Sequence, residues 1–254
     1  MIELQDKVVL ITGATSGIGY ATAMHFASLG SKVVGTARHE TNLADQLMEA
    51  GASAALLLAA DMTIEDQVVK VIDDTLQKFD QLHFAFNNAG VFLPEAPLGE
   101  HKTATWNEII AANLTSIYYC MKQEIQAMQS KGTSGVIINN ASVVGHRGST
   151  ASGIAYTTAK HGVIGMTRQA AITYAASGIR VNAVSPGPTL TPSTSPGMAL
   201  PEDQAAAKIS ELNPTGQMAP VETIAATVGF LCSDLAKGIN GHDVPIDGGQ
   251  LAKL

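Results

Sequence analysis

The sequence predicts an α/β protein built on a doubly wound parallel sheet of about seven strands, with helices on both faces. Three observations point there. Short β-branched runs alternate with longer segments of helical periodicity along the 254-residue chain. The strand runs are continuously apolar rather than alternating, as strands covered on both faces must be. A glycine-rich turn also joins the first strand to the first helix, where open α/β sheets build ligand sites.

KVVLIT (7–12) reads as the first strand, and GIGYATAMHFASLG (17–30) as a helix closed by Gly30. KVVGTA (32–37) is a second strand, followed by a helical stretch to about residue 50. AALLLAAD (54–61) supplies a third strand, and IEDQVVKVIDDTLQKF (64–79) carries apolar residues at helical spacing. LHFAFNN (82–88) is a fourth strand, and residues 105–132 read as one long helix. GVIINNAS (135–142) is a fifth strand, residues 155–178 the next helix, and IRVNAVSPG (179–187) a sixth strand. ETIAATVGFLCSDLA (222–236) is helical and GHDVPIDGG (241–249) is a last strand. No linker or repeat divides the chain, so residues 1–254 are expected to form a single domain. Residues 186–203 hold five of the ten prolines, which marks a turn-rich substrate lid at about 188–212.

Composition narrows the function. A hydrophobic share of 46% supports a large core. The net charge of −7 leaves no global basic field for nucleic acid. Cys120 and Cys232 are the only cysteines, too few for a disulfide framework or a thiolate metal site, and no histidine spacing matches a metal motif. The N-terminus lacks the basic start and apolar stretch of a signal peptide, and no apolar run reaches membrane-spanning length. The expectation is a soluble cytoplasmic protein with no metal, membrane or nucleic-acid partner.

Two motifs carry chemistry. TGATSGIG (12–19) places Gly13 at a tight turn, Gly17 where backbone meets a pyrophosphate, and Gly19 against the sheet. Thr15, Ser16 and Ile18 complete a helix N-terminus that offers free N–H groups to phosphates. SGIAYTTAKHG (152–162) sets Tyr156 and Lys160 one helical turn apart.

Together with NNAG (87–90), Ser142 and SPG (185–187), these motifs come in the order of the short-chain dehydrogenase/reductase family. From residue 5 to about 249 the chain resembles that family, most of all its group of about 250 residues that includes β-ketoacyl and carbonyl reductases. The resemblance implies a Rossmann fold and a hydride exchanged between a nicotinamide and a carbonyl or secondary alcohol. It implies Tyr156 as general acid/base, Ser142 orienting the substrate oxygen, and Asn113 in a proton relay from Lys160. Free tyrosine titrates near pH ~10 and is a poor acid, and a neighbouring ammonium such as Lys160 lowers that value. Asp61 and Met62 are placed at the adenine, with capping of the next helix as the other use of Asp61. Asn88, Ala89 and Gly90 line the nicotinamide ribose, and Pro186 and Gly187 open the loop above it, with Thr189 and Thr191 as further contacts. One departure stands out: Ser142 and Tyr156 lie 14 residues apart, one more than the commonest family spacing, which puts an extra residue in the loop between them.

Ala37 stands where an acid would hold the ribose 2′-hydroxyl of NAD, and Arg38 follows it. An arginine fork suits a 2′-phosphate, so NADP(H) is favoured over NAD(H), with Glu40 as the rival feature. Phe92, Val144, Leu190 and Met198 predict a mainly apolar substrate pocket. His146 is placed there too, to meet a substrate anion or else to face solvent with Arg147. Relatives of this kind pair the two long helices into a homotetramer. A dinucleotide-binding regulator and a dehalogenase are the competing classes. The full Asn–Ser–Tyr–Lys set argues against the first, and the intact glycine loop against the second.

Overall fold

The computed structural model describes residues 4–39, 41–150, 152–191 and 209–253. Strands β1 (Val8–Ile11), β2 (Lys32–Ala37), β3 (Ala54–Ala59), β4 (Phe84–Asn87), β5 (Val136–Asn140), β6 (Arg180–Pro186) and β7 (Asp243–Ile246) form one parallel sheet. Their order is β3-β2-β1-β4-β5-β6-β7. The helices among the described residues include α1 (Gly17–Ser28), α2 (Leu43–Glu49), α3 (Glu65–Phe79), α4 (Thr103–Ile110), α5 (Ser116–Ser130), α6 (Ile154–Tyr174) and α7 (Val221–Cys232). No helix among the described residues is long and apolar enough to cross a membrane.

Both faces of the sheet are covered, which is why its strands read as unbroken apolar runs. In β1, Val8 and Leu10 join the core beneath α3, α5 and α6. Val9 and Ile11 join the opposite layer with Phe26 of α1, Leu47 of α2 and Val228 of α7. β1 pairs with β2 on one side and β4 on the other. The chain therefore leaves the sheet in two directions at this point, and a crevice opens at the carboxyl ends of the strands.

The segment expected as one helix over 105–132 differs from that reading. α4 and α5 are separated by a π-turn, Ala111–Thr115, where the Ser116 N–H reaches back five residues to the Ala111 carbonyl. Hydrophobic periodicity does not register a single widened turn, so the sequence reads straight through it.

One core layer encloses a polar cluster. Asn87 Nδ2 donates to Glu124 Oε2 at 3.0 Å and to Asn139 Oδ1 at 3.1 Å, and Asn139 Nδ2 donates to Thr167 Oγ1 at 2.9 Å. Glu124 is fully buried, and burial pushes its carboxyl up to about 8, with the Asn87 bond pulling partly back. The folded chain then holds a proton that the unfolded chain releases above about 4.5. Stability from this site is complete below that value and is lost as pH rises toward 8. Thermal melts between about pH 5 and pH 8 should show Tm falling with pH in the wild type. Glu124→Gln, which cannot ionise, should flatten the slope, and an unchanged slope would remove Glu124 as its source.

Candidate active site

A cleft of about 720 Å³ lies at the carboxyl ends of the central strands. Its first wall is the glycine loop. Thr12 Oγ1 accepts from the backbone N–H groups of Asn88 and Ala89, both at 2.9 Å, and Asn88 Nδ2 donates to the Thr12 carbonyl at 3.0 Å. These bonds lock the ends of β1 and β4 together. Gly13 and Gly17 take φ values of +66° and +53°, the left-handed region that favours glycine. A Cβ on Gly19 would overlap the Gly13 carbonyl and stand 2.6 Å from Asn88 Nδ2, so Gly19 is needed for the loop itself rather than for sheet packing. α1 begins at Gly17, and the Ser16 hydroxyl makes no capping bond, which leaves the first-turn N–H groups without a side-chain acceptor.

Thr15, Ser16, Ile18, Ala37, Arg38, Asp61 and Met62 line the same wall. Asp61 Oδ1 accepts from the Thr63 amide at 2.9 Å and hydroxyl at 2.7 Å, so it also shapes the turn into α3. Asn88, Ala89, Gly90, Pro186, Gly187, Thr189 and Thr191 line the remainder. A phosphate cradle closed to side chains, an uncapped helix start and a long cleft fit a dinucleotide.

Asn113, Ser142, Tyr156 and Lys160 converge on the far part of this cleft. Asn113 sits in the π-turn. Its Nδ2 donates to the Ile109 carbonyl at 3.0 Å, the position that its own N–H would serve in an α-helix. Its Oδ1 accepts from the Val91 N–H at 3.2 Å, and a Cβ on Gly90 would stand 2.5 Å from that oxygen. Ser142 follows β5 by two residues and caps a 3₁₀ turn, Val143–Gly145. Lys160 is buried. Its Nζ donates to the Asn140 carbonyl at 2.7 Å and lies 5.4 Å from the centre of the Tyr156 ring.

Desolvation governs the electrostatics. Burial pushes the Tyr156 phenol up to about 12, and a hydrogen bond with Ser142 draws it partly back. Burial also pushes the Lys160 ammonium down to about 8. In the free protein desolvation is the largest influence on both groups, and it moves Tyr156 opposite to the lowering expected from Lys160.

Of the expected substrate pocket, Phe92 and Val144 line the cleft, with Val143 and Pro188 beside them. Leu190 is 60% exposed and is not among the lining residues; it follows Thr189, whose backbone bridges to Ala219, and its side chain is left to solvent. Met198 lies outside the described residues. His146 is also absent from the lining. Its Nε2 is bound to Asp243 Oδ2, which further accepts from Ser185 Oγ at 2.8 Å. The ring is thus tied to a buried carboxylate on β7 while the residue stands exposed, so of the two expectations the solvent-facing one fits and the substrate-facing one does not. Arg147 donates to the carbonyls of Gln250 at 2.7 Å and Lys253 at 3.4 Å, fastening the chain end.

Two contributors escape sequence reasoning. Asn140 holds Lys160 through its carbonyl and donates from Nδ2 to Asn88 Oδ1 at 2.9 Å. Its place at the end of a strand, in NNAS, was the only available signal. Glu95 accepts from the N–H groups of Ala155 at 2.7 Å and Tyr156 at 3.2 Å, a contact across 60 residues that no spacing announces.

The sequence model of the family described as "Enoyl-(Acyl carrier protein) reductase" matches residues 13–250. Cis-4-hydroxycyclohexanecarboxylate dehydrogenase of Sinomonas cyclohexanicum is 40% identical over 249 residues, covering 97% of each chain. Cyclohexanol dehydrogenase of Acinetobacter sp. (strain SE19) is 36% identical, over 99% of this chain and 97% of its own. The crystal structure of levodione reductase superposes with a TM-score of 0.91 at 34% identity, over 99% of this chain and all of that one. The cradle, the helix carrying Tyr156 and Lys160 and these likenesses along the whole length lead to one conclusion: the chain belongs to the short-chain dehydrogenase/reductase family, is an oxidoreductase of alcohols and carbonyls, and uses a nicotinamide cofactor.

Proposed function

We propose that the protein interconverts a ketone and a secondary alcohol on a small ring with NADP(H), using Tyr156 as acid and base. The convergence of Tyr156, Lys160, Ser142 and Asn113 beside the glycine cradle carries this reading. The substrate class rests on the mainly apolar wall of Phe92, Val143, Val144 and Pro188, and on relatives named for hydroxylated cyclohexanes. The bound nicotinamide supplies or accepts the hydride. Gly13 to Gly19 would hold its phosphates and Arg38 its 2′-phosphate. Asn88 to Gly90 and Pro186 to Thr191 would hold the nicotinamide end.

In reduction, the Ser142 hydroxyl donates to the substrate oxygen and steers it to Tyr156. The phenol proton passes to that oxygen as the C–O bond becomes single. Lys160 then returns a proton to the phenolate, and Asn113 keeps the path to solvent open. A lysine held near 8 gives up a proton more readily than one at 10.5. Oxidation runs the same transfers in reverse and needs the phenolate.

The sign of the pH dependence follows. kcat/KM for alcohol oxidation should rise with pH, and that for ketone reduction should fall, both through the titration of Tyr156. Tyr156→Phe should abolish both limbs and lower kcat by about 10²–10⁴-fold. A cyclohexanol and cyclohexanone panel read at the nicotinamide absorbance checks this, and near wild-type turnover by Tyr156→Phe would contradict it.

Arg38 is exposed and lines the cleft just beyond β2, which supports its assignment to the 2′-phosphate. Arg38→Ala should raise the KM for NADPH about ten- to a hundredfold and leave that for NADH nearly unchanged, given roughly 1.5–3 kcal/mol for a charged hydrogen bond. A wild-type preference for NADH would overturn the assignment. Tyr118 on α5 and Ile172 on α6 are large apolar side chains left 50% and 77% exposed. They support a homotetramer built by pairing these helices. Light scattering should give four times the chain mass, and a stable monomer at micromolar concentration would refute it.

A further inference from the structure

The catalytic helix has no cap of its own. α6 starts after Gly153, which has no side chain to accept from the first-turn N–H groups. Glu95 fills that role from the loop after β4. Its carboxylate accepts from Ala155 N–H at 2.7 Å and Tyr156 N–H at 3.2 Å, and meets His101 Nε2 at 2.9 Å. The Glu95 and His101 side chains are 1% and 4% exposed. The other His101 nitrogen faces the Lys102 carbonyl at 3.1 Å, so the ring is held from both sides. A Cβ on Gly153 would overlap Glu95, which makes that glycine part of the same device. The loop that carries Glu95 also carries Phe92, whose ring stands edge-on to Tyr156 with centroids 5.1 Å apart.

We propose that Glu95, held by His101, is a positioning residue: it clamps the substrate-facing loop onto the first turn of α6 and so fixes Tyr156 and Phe92 relative to one another. The clamp rests on the reading of Tyr156 as the acid/base. A carboxylate at a helix N-terminus is favourable in itself. Here it also ties that terminus to the pocket wall, and small misplacements of a reacting group cost up to about 10²-fold in rate.

The test compares Glu95→Ala, Glu95→Gln, Phe92→Ala and Tyr156→Phe as full-length protein. Backbone amide exchange at residues 154–157 is measured without cofactor, NADPH affinity by fluorescence, and turnover with cyclohexanone. Glu95→Ala should speed exchange at Ala155 and Tyr156 at least about tenfold. It should lower kcat/KM for the ketone about ten- to a hundredfold, with NADPH affinity within about twofold of wild type. Glu95→Gln keeps one acceptor oxygen and should restore most of both; if the alanine variant does not fold, Glu95→Asp, whose carboxylate falls one methylene short of the helix, replaces it with losses expected in the same direction. Phe92→Ala should cost less in the Glu95→Ala background than in the wild type, as expected for groups acting through one loop. Unchanged exchange and turnover in both Glu95 variants would overturn the proposal. So would a fall in NADPH affinity equal to the fall in turnover, since that reports general loosening. A fully active Tyr156→Phe would instead overturn the acid/base reading, and the exchange data would still report on the clamp.

Discussion

The Thr12 hydroxyl holds the two halves of this protein in register. It accepts the first two amides beyond β4, and Asn88 returns a bond to the Thr12 carbonyl. From there the run continues without a gap: Asn140 donates to Asn88, and Lys160 donates to Asn140. Four side chains thus connect the glycine loop after β1 to helix α6 across β4 and β5. Each neutral bond contributes only about 0.5–1.5 kcal/mol, but leaving one partner buried and unpaired costs about 1–3 kcal/mol. The run behaves as a ruler, because any slip of one strand orphans groups on the next.

Burial then sets the chemistry that the ruler positions. A phenol and an ammonium both lose hydration in the cleft, and each moves toward its neutral form. Tyr156 at rest is a reluctant acid. Lys160 at rest is a ready proton donor, held by a carbonyl rather than by a carboxylate. Ser142 already pulls the phenol down, and a positive charge entering the cleft would pull it further. Glu124 shows the same physics without chemistry, as a buried carboxyl kept neutral within the core.

Most of the architecture was legible in the sequence because burial on both faces writes strands as apolar runs. KVVGTA, for example, is β2 from its first residue to its last. The cradle was legible because its glycines are required by conformation at Gly13 and by close approach at Gly19. The π-turn at Asn113 was not, since one extra residue in a turn leaves the apolar stripe almost undisturbed. The tie of His146 to Asp243 was not legible, because that partner lies 97 residues away on the edge strand β7, two strands over from β5. Glu95 was invisible for the same reason: a cap supplied from a distant loop leaves no local pattern beside Gly153.

The account stands on desolvation as the dominant influence on Tyr156 in the free protein. Ring-labelled tyrosine followed by NMR through a pH titration, with Tyr156→Phe to assign the signal, measures this directly. The prediction is a Tyr156 phenol titrating well above the ordinary value of 10, higher still in Ser142→Ala, and lower when the oxidised, positively charged nicotinamide is bound. A free-protein value at or below 10 would contradict the account, because Lys160 would then outweigh burial.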